Sequence, residues 1–198
     1  MGMNQTLREI WLPDLLQLLQ DHDGVLVLRQ PNRPPLSLEI VGGRLGTVRE
    51  GVHVLPLHKV EERLLSIMHA PQTTFRFYPD DLLPHAKGPK LSALAYRLNA
   101  MHRELDPIRH LLPQPNTRFQ LVRDEALADP RWRELYERAR PLLARGTSAR
   151  ELAERLELPL PVAQHFLFRL AQAKRVRPLA AAKGPRAVPF PGRAFATG

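Results

Sequence analysis

The side chains with the most distinctive chemistry lie in the stretch ELAERLELPLPVAQHFLFRL, Glu151 to Leu170, and just after it. Val162, Phe166 and Leu170 recur at helical spacing, so they predict a helix with one buried face. At about 100° per residue, the opposite face carries a mixed set: Gln164, His165, Phe168 and Gln172, with Arg169 at its edge. Glutamine can pair with adenine, and histidine can contact a base or a phosphate. An exposed phenylalanine can meet thymine methyl groups but is more typical of a protein interface.

Basic residues follow this helix without acidic neighbours. No aspartate or glutamate occurs after Glu157, whereas five cations that could contact phosphates come after the helix: Lys174, Arg175, Arg177, Lys183 and Arg186. Residues 1–120 contain 14 Lys/Arg and 12 Asp/Glu, a net charge of +2, and residues 121–198 contain 15 and 8, a net charge of +7. A basic excess beside a binding helix favours a polyanion partner. These cations and the helix residues named above are therefore the predicted DNA-binding residues.

The chain offers little for catalysis or metal binding. It has no cysteine, which excludes thiolate ligands and cysteine nucleophiles and fits a reducing cytoplasm. Gly42-Gly43 is not followed by the Gly-Lys-Ser/Thr of a phosphate loop. His58 and His69 would share a helix face, but about 16 Å would separate them along the helix axis. The sequence therefore predicts no catalytic residues, no metal and no cofactor.

The residues before the candidate helix predict a helix-turn-helix. Ser148 and Glu151 suit a reciprocal capping box at the start of a first helix. Its apolar face and the turn then follow in order: Leu152, Ala153, Leu156 and the LPLP of residues 158–161. Pro161 suits the first position of the second helix.

This pattern, Glu-Leu-Ala followed by Leu, Leu, Val, Leu and a closing Val176, resembles a winged helix-turn-helix over about residues 131–190. The resemblance implies binding to double-stranded DNA. It also implies a wing that starts at Val176, turns near residues 183–186 and returns through residues 187–188. An unstructured tail after about Leu179 is the alternative.

The first half predicts a small mixed α/β domain. A strand over Val25–Leu28 is expected to be buried on both faces, and Gly42-Gly43 is expected to form a tight hairpin. The remaining expected elements are a helix from Leu12, a strand with Leu36, Leu38 and Ile40 on one face, a helix with Leu57, Val60, Leu64 and Ile67 or Met68 inward, a strand containing Phe75 and Phe77, and a helix from Leu91 to about Leu105.

Four short motifs in this half resemble the PATAN domain, a bacterial module, over roughly residues 7–104. They are LPDLLQ (12–17), GVLVL (24–28), GRL (43–45) and FRF (75–77). The resemblance implies a protein-interaction or signalling module that lacks catalytic residues.

The composition between the two halves predicts a linker, because Pro107, Pro113 and Pro115 interrupt any apolar period. The expected organisation is a PATAN-like domain over 1–106, a Pro-rich linker over 107–122, a winged helix over 123–190 and a flexible tail over 191–198. Fragments that end near Leu105 and begin near Arg123 are expected to fold separately.

The sequence thus predicts an α+β protein that is cytoplasmic, non-enzymatic and active in DNA-linked regulation, such as transcription regulation. Its first domain would bind an unknown protein partner or self-associate into a homo-oligomer. No membrane role is expected, because no apolar stretch nears the roughly 18 residues of a spanning helix. The main alternative is a protein–protein adaptor whose winged helix contacts protein through Phe168. A weaker third option is an enzyme or small-ligand sensor in the first domain.

Overall fold

The computed structural model describes residues 5–7, 10–70, 72–80, 82–125 and 129–179. They form an α+β fold with two sheets and two hydrophobic cores. We call residues 5–105 the first unit and residues 118–179 the second unit, because each range holds one of the cores. Among the described residues, no helix combines the length and the apolar character that crossing a membrane requires.

The first unit is a six-stranded sheet packed against three helices. Its elements are β1 (Gln5–Thr6), α1 (Leu12–Leu18), β2 (Gly24–Arg29), β3 (Leu36–Val41), β4 (Arg44–Glu50), β5 (His53–Val54), α2 (Leu57–Met68), β6 (Thr74–Pro79) and α3 (Leu91–Leu105). The strand order is β1-β6-β2-β3-β4-β5, and every neighbouring pair is antiparallel.

One face of this sheet carries the core. Leu26 and Leu28 of β2 are at most 1% exposed, whereas Val25 and Val27 are partly exposed. The expectation that this strand is buried on both faces is therefore wrong. An antiparallel sheet with its helices on one side leaves the other face to solvent, and β3 shows the alternation that was expected of it.

The hairpin and α2 follow their sequence patterns closely. Gly42 and Gly43 join β3 to β4 with φ angles of +57° and +67°, which confirms the predicted tight turn and explains the two glycines. Val60 and Ile67 of α2 face the core at 1% exposure. Leu57 does not, at 39% exposure, because it is the first residue of α2 and lies at the margin of the apolar stripe.

The second unit contains three helices and a three-stranded sheet. Its elements are β7 (Arg118–Leu121), α4 (Pro130–Arg145), β8 (Thr147–Ser148), α5 (Ala149–Leu156), α6 (Leu160–Gln172) and β9 (Val176–Pro178). The capping box is confirmed: the Glu151 N–H donates to Ser148 Oγ at 3.2 Å, and the Ser148 N–H donates to Glu151 Oε2 at 3.1 Å. Pro161 lies at the second position of α6, one residue later than predicted.

The middle strand of this sheet comes from the segment that was expected to be linker. β7 lies between β8 and β9 and is antiparallel to both. Phe119 of β7 is 5% exposed and belongs to the second core. A linker over the whole of 107–122 is thus a wrong expectation, because its last residues complete a sheet with strands far along the chain. The expected wing turn and return, residues 183–188, and the expected tail, residues 191–198, lie outside the described residues.

The position of β7 changes where the second unit can be cut. We expect a fragment that begins at Gln114 to unfold cooperatively. A fragment that begins at Arg123 lacks β7 and should have a lower free energy of unfolding. Removing Phe119 from the core costs about 3–5 kcal/mol by itself, and β8 and β9 lose their pairing partner as well. Urea unfolding followed by circular dichroism measures the free energy of unfolding of both fragments. Equal stability of the two fragments would show that β7 is dispensable.

Candidate nucleic-acid interface

Helix α6 is the element that the sequence assigned to DNA recognition. Its inward face is apolar: Ala163, Phe166, Leu167 and Leu170 have no exposed surface and pack against α4 and α5. Phe166 stacks on Trp132 of α4 with ring centroids 5.7 Å apart. This packing fixes α6 in its own unit and defines which side chains point away from the second core.

The first half of the outward face is covered by protein. His165 is only 5% exposed. Its ring meets the Trp132 ring edge-on at 5.3 Å, and its Nδ1 lies 3.9 Å from Glu104 Oε1 at the end of α3. The expectation that His165 is free to contact a base or phosphate is wrong for this arrangement.

Two hydrogen bonds hold the same part of α6. Gln164 Nε2 donates to the Pro113 carbonyl at 2.7 Å, and the Leu160 N–H donates to Glu62 Oε2 of α2 at 3.4 Å. Gln164 is consequently engaged rather than free to pair with adenine. The helical period showed which residues face away from the second core, but it carries no information about the first unit that packs over them.

Glu104 links the two units electrostatically. Its carboxylate lies between His165 and Arg131 of α4, whose Nη1 is 3.8 Å away. Burial lowers the pKa of His165 below its ordinary value; Glu104 opposes this shift, and the nearby Arg169 and Arg131 reinforce it. A neutral imidazole is therefore the form that this buried position favours.

The second half of α6 and the turn after it remain exposed. Arg169, Gln172, Lys174 and Arg177 are all exposed, and the three cations form no ion pair within the described part of the chain. Lys174 has a φ of +54°, which turns the chain from α6 into β9. The sequence expectation of accessible basic residues holds for these positions.

The remaining predicted DNA-binding residues are not shown to be accessible. Arg175 was expected to follow the phosphate backbone, but its guanidinium donates to the Glu125 carbonyl and its side chain is 15% exposed. That expectation is wrong, because a backbone acceptor distant in sequence already binds the side chain. Phe168 is partly buried. Lys183 and Arg186 lie outside the described residues.

A cavity of about 340 Å³ separates α2 and α3 from the N-terminus of α6. Its lining includes Glu62, His69, His102, Arg109 and Gln164. Burial lowers the pKa of His69, and the charges of Arg109 and His102 lower it further while Asp106 opposes them. Sequence reasoning missed this group because it paired His69 only with His58 on the same helix.

Comparison of the chain with protein-family models, with curated proteins and with solved structures finds no match.

The buried His165 makes stability depend on pH. Because the folded pKa lies below the unfolded one, the unfolded state binds the proton more readily. The contribution is fully present above about pH 6.5, the ordinary histidine value, and is lost as pH falls through the folded pKa. In urea titrations, His165→Gln should flatten the decline of unfolding free energy below about pH 6.5. His53→Gln, which removes an exposed histidine of β5, is the matched control for the loss of an imidazole. An unchanged slope in His165→Gln would contradict the assignment.

Proposed function

We propose that the protein is a non-enzymatic, cytoplasmic DNA-binding regulator whose second unit binds duplex DNA and whose first unit restrains it. One observation carries the proposal. The N-terminal half of α6 is held by the first unit and by Pro113 of the segment that connects the units, while Arg169, Lys174 and Arg177 at its other end are exposed and unpaired within the described residues.

The exposed cations suit the phosphate backbone. Each phosphate that a lysine or arginine neutralises releases condensed counterions, which favours binding regardless of base sequence. Gln172 is exposed beside them and offers an amide that can contact a base edge or a phosphate. The cluster formed by Arg169, Gln172, Lys174 and Arg177, the exposed basic end, thus supports binding of low sequence specificity.

Sequence readout requires more of α6. In a helix-turn-helix, the N-terminal residues of the recognition helix contact base edges in the major groove. In this protein those residues include Gln164 and His165. Their contacts with Pro113 and Glu104 prevent them from entering the major groove of DNA. Specific binding therefore requires α6 to separate from the first unit and Gln164 to release the Pro113 carbonyl. A partner that binds the first unit, or self-association through it, would then control DNA recognition.

A protein adaptor is the second candidate function. The observation in its favour is that α6 already uses its outward face for protein contact, with His165 at 5% exposure and Phe168 partly buried. In that case the first unit occupies the α6 face until a partner protein replaces it, and DNA plays no part. Salt-dependent binding of DNA by the full chain is expected for the regulator and not for the adaptor.

DNA binding through the exposed basic end should weaken steeply with salt. With three to five phosphate contacts at about −0.9 each, log affinity against log salt should have a slope of about −3 to −5. Replacing Arg169, Lys174 and Arg177 together by glutamine should flatten the slope by roughly 2.7 and weaken binding to all sequences alike. Fluorescence anisotropy with random-sequence duplex measures both quantities.

The matched control removes the same charge from the first unit. Arg29, Arg33 and Lys87 are exposed there, and their triple glutamine variant should keep most of the wild-type slope. The adaptor function is favoured instead if the full chain shows no salt-dependent DNA binding while Phe168→Ala abolishes a complex with protein.

Opening the contact between the units should expose base readout. Glu104→Arg replaces the carboxylate near His165 by a second positive group beside Arg131, so α6 should separate from α3. Affinity for DNA should rise more than in Glu134→Arg, which makes the same charge change on exposed α4 surface. In the Glu104→Arg background only, Gln164→Ala should alter preference among sequences by about 1–3 kcal/mol if it contacts adenine. Equal affinities of the two arginine variants would show that the contact does not restrain binding.

A further inference from the structure

The ends of α2 and α3 bring together three side chains with metal-ligating atoms. His69 directly follows α2, His102 lies in the last turn of α3, and Asp106 caps that helix. One ligand atom from each lies within 4.8 Å of the other two. His102 and Asp106 are four residues apart, so the helix presents them on one face, as helical zinc motifs do with their paired ligands.

The histidine rings are already positioned. The rings of His69 and His102 have centroids 5.0 Å apart, and His69 Nδ1 lies 3.6 Å from Asp106 Oδ1. Trp11 also meets the His102 ring edge-on at 5.0 Å and is itself held by a 2.8 Å hydrogen bond to Asn99. These contacts hold the two histidine rings close together, so little movement is needed to bring the ligand atoms into one coordination sphere.

One buried nitrogen of this group has no partner. His102 Nδ1 is inaccessible to solvent and makes no hydrogen bond with any residue that the structure describes. A hydrogen bond at one ring nitrogen normally fixes which nitrogen carries the proton. Because no described protein group bonds to His102 Nδ1, nothing at this atom opposes the tautomer in which Nδ1 carries a lone pair that a cation can accept.

The surroundings leave room for an open coordination position. His69 and His102 line the cavity of about 340 Å³, and Glu62, Gln114 and Gln164 also border it. Three protein ligands plus one water is the arrangement of an open tetrahedral zinc site. The cavity has space for that water and for a polar ligand that replaces it.

The donor set identifies the class of cation. Two imidazoles and one carboxylate suit zinc and neighbouring transition metals better than magnesium or calcium, which prefer oxygen ligands throughout. Arg109 borders the same cavity and opposes a cation, but it is exposed to solvent that screens its charge. The charge of Arg109 is therefore expected to lower the affinity for a cation without excluding one.

We propose that His69, His102 and Asp106 form a binding site for one divalent transition metal of the zinc type, at the corner where α2 and α3 meet the N-terminus of α6. The proposal contradicts the sequence expectation of no metal site. It does not depend on whether the second unit binds DNA.

The test titrates full-length, tag-free, metal-free protein with Zn²⁺ by calorimetry and with Co²⁺ by absorption spectroscopy. We expect one ion per chain, a tetrahedral cobalt spectrum and a rise in melting temperature on metal addition. His69→Asn and Asp106→Asn should each weaken binding by more than about 100-fold, because even outer-shell partners of metal ligands are worth about 10–100-fold. Arg109→Gln should instead strengthen binding.

Two controls keep the outcome clear. His53→Asn removes an exposed histidine from β5 and should bind like the wild type. Asp106 is 54% exposed, so Asp106→Asn should fold even if a histidine variant does not, and its metal-free melting temperature verifies this. Wild-type affinity in Asp106→Asn, or no stoichiometric binding by the wild-type chain, would overturn the proposal.

Discussion

The contact between α6 and the first unit is the constraint on which the functional interpretation depends. A carboxylate at the end of α3 lies between His165 and Arg131, and a backbone carbonyl of the connecting segment accepts from Gln164. These few polar contacts divide one helix into a covered half and an exposed half. Which side chains of α6 are accessible is therefore set by its neighbours in the fold as well as by its own sequence.

Local patterns predicted most of the elements, because local physics determines them. The Ser148–Glu151 capping box and the Gly42-Gly43 hairpin each depend on residues within a few positions of one another. The strand β7 escaped prediction for the opposite reason. It has four residues between prolines and a charged loop, and only pairing with β8 and β9, which follow α4 and α6, makes it a strand.

The candidate sites show the same division between local and distant determinants. Exposure of Arg169 and Lys174 followed from helical spacing and from the absence of nearby acids. Engagement of Arg175 by Glu125 did not, because the acceptor lies 50 residues earlier. Likewise, His69 and His102 belong to different helices and meet only because α2 and α3 pack in the same layer. The residue spacing within a single helix cannot predict that these two histidines are neighbours.

The short connection between the units has a thermodynamic consequence. The 3₁₀ helix Asp106–Leu111 continues α3, and β7 begins at Arg118, so only residues 112–117 join the first unit to the second sheet. A tether of this length holds the first unit beside α6 at an effective concentration on the order of millimolar. Any external ligand of the covered half would have to compete with the first unit at that concentration, so a weakly bound ligand would not displace it.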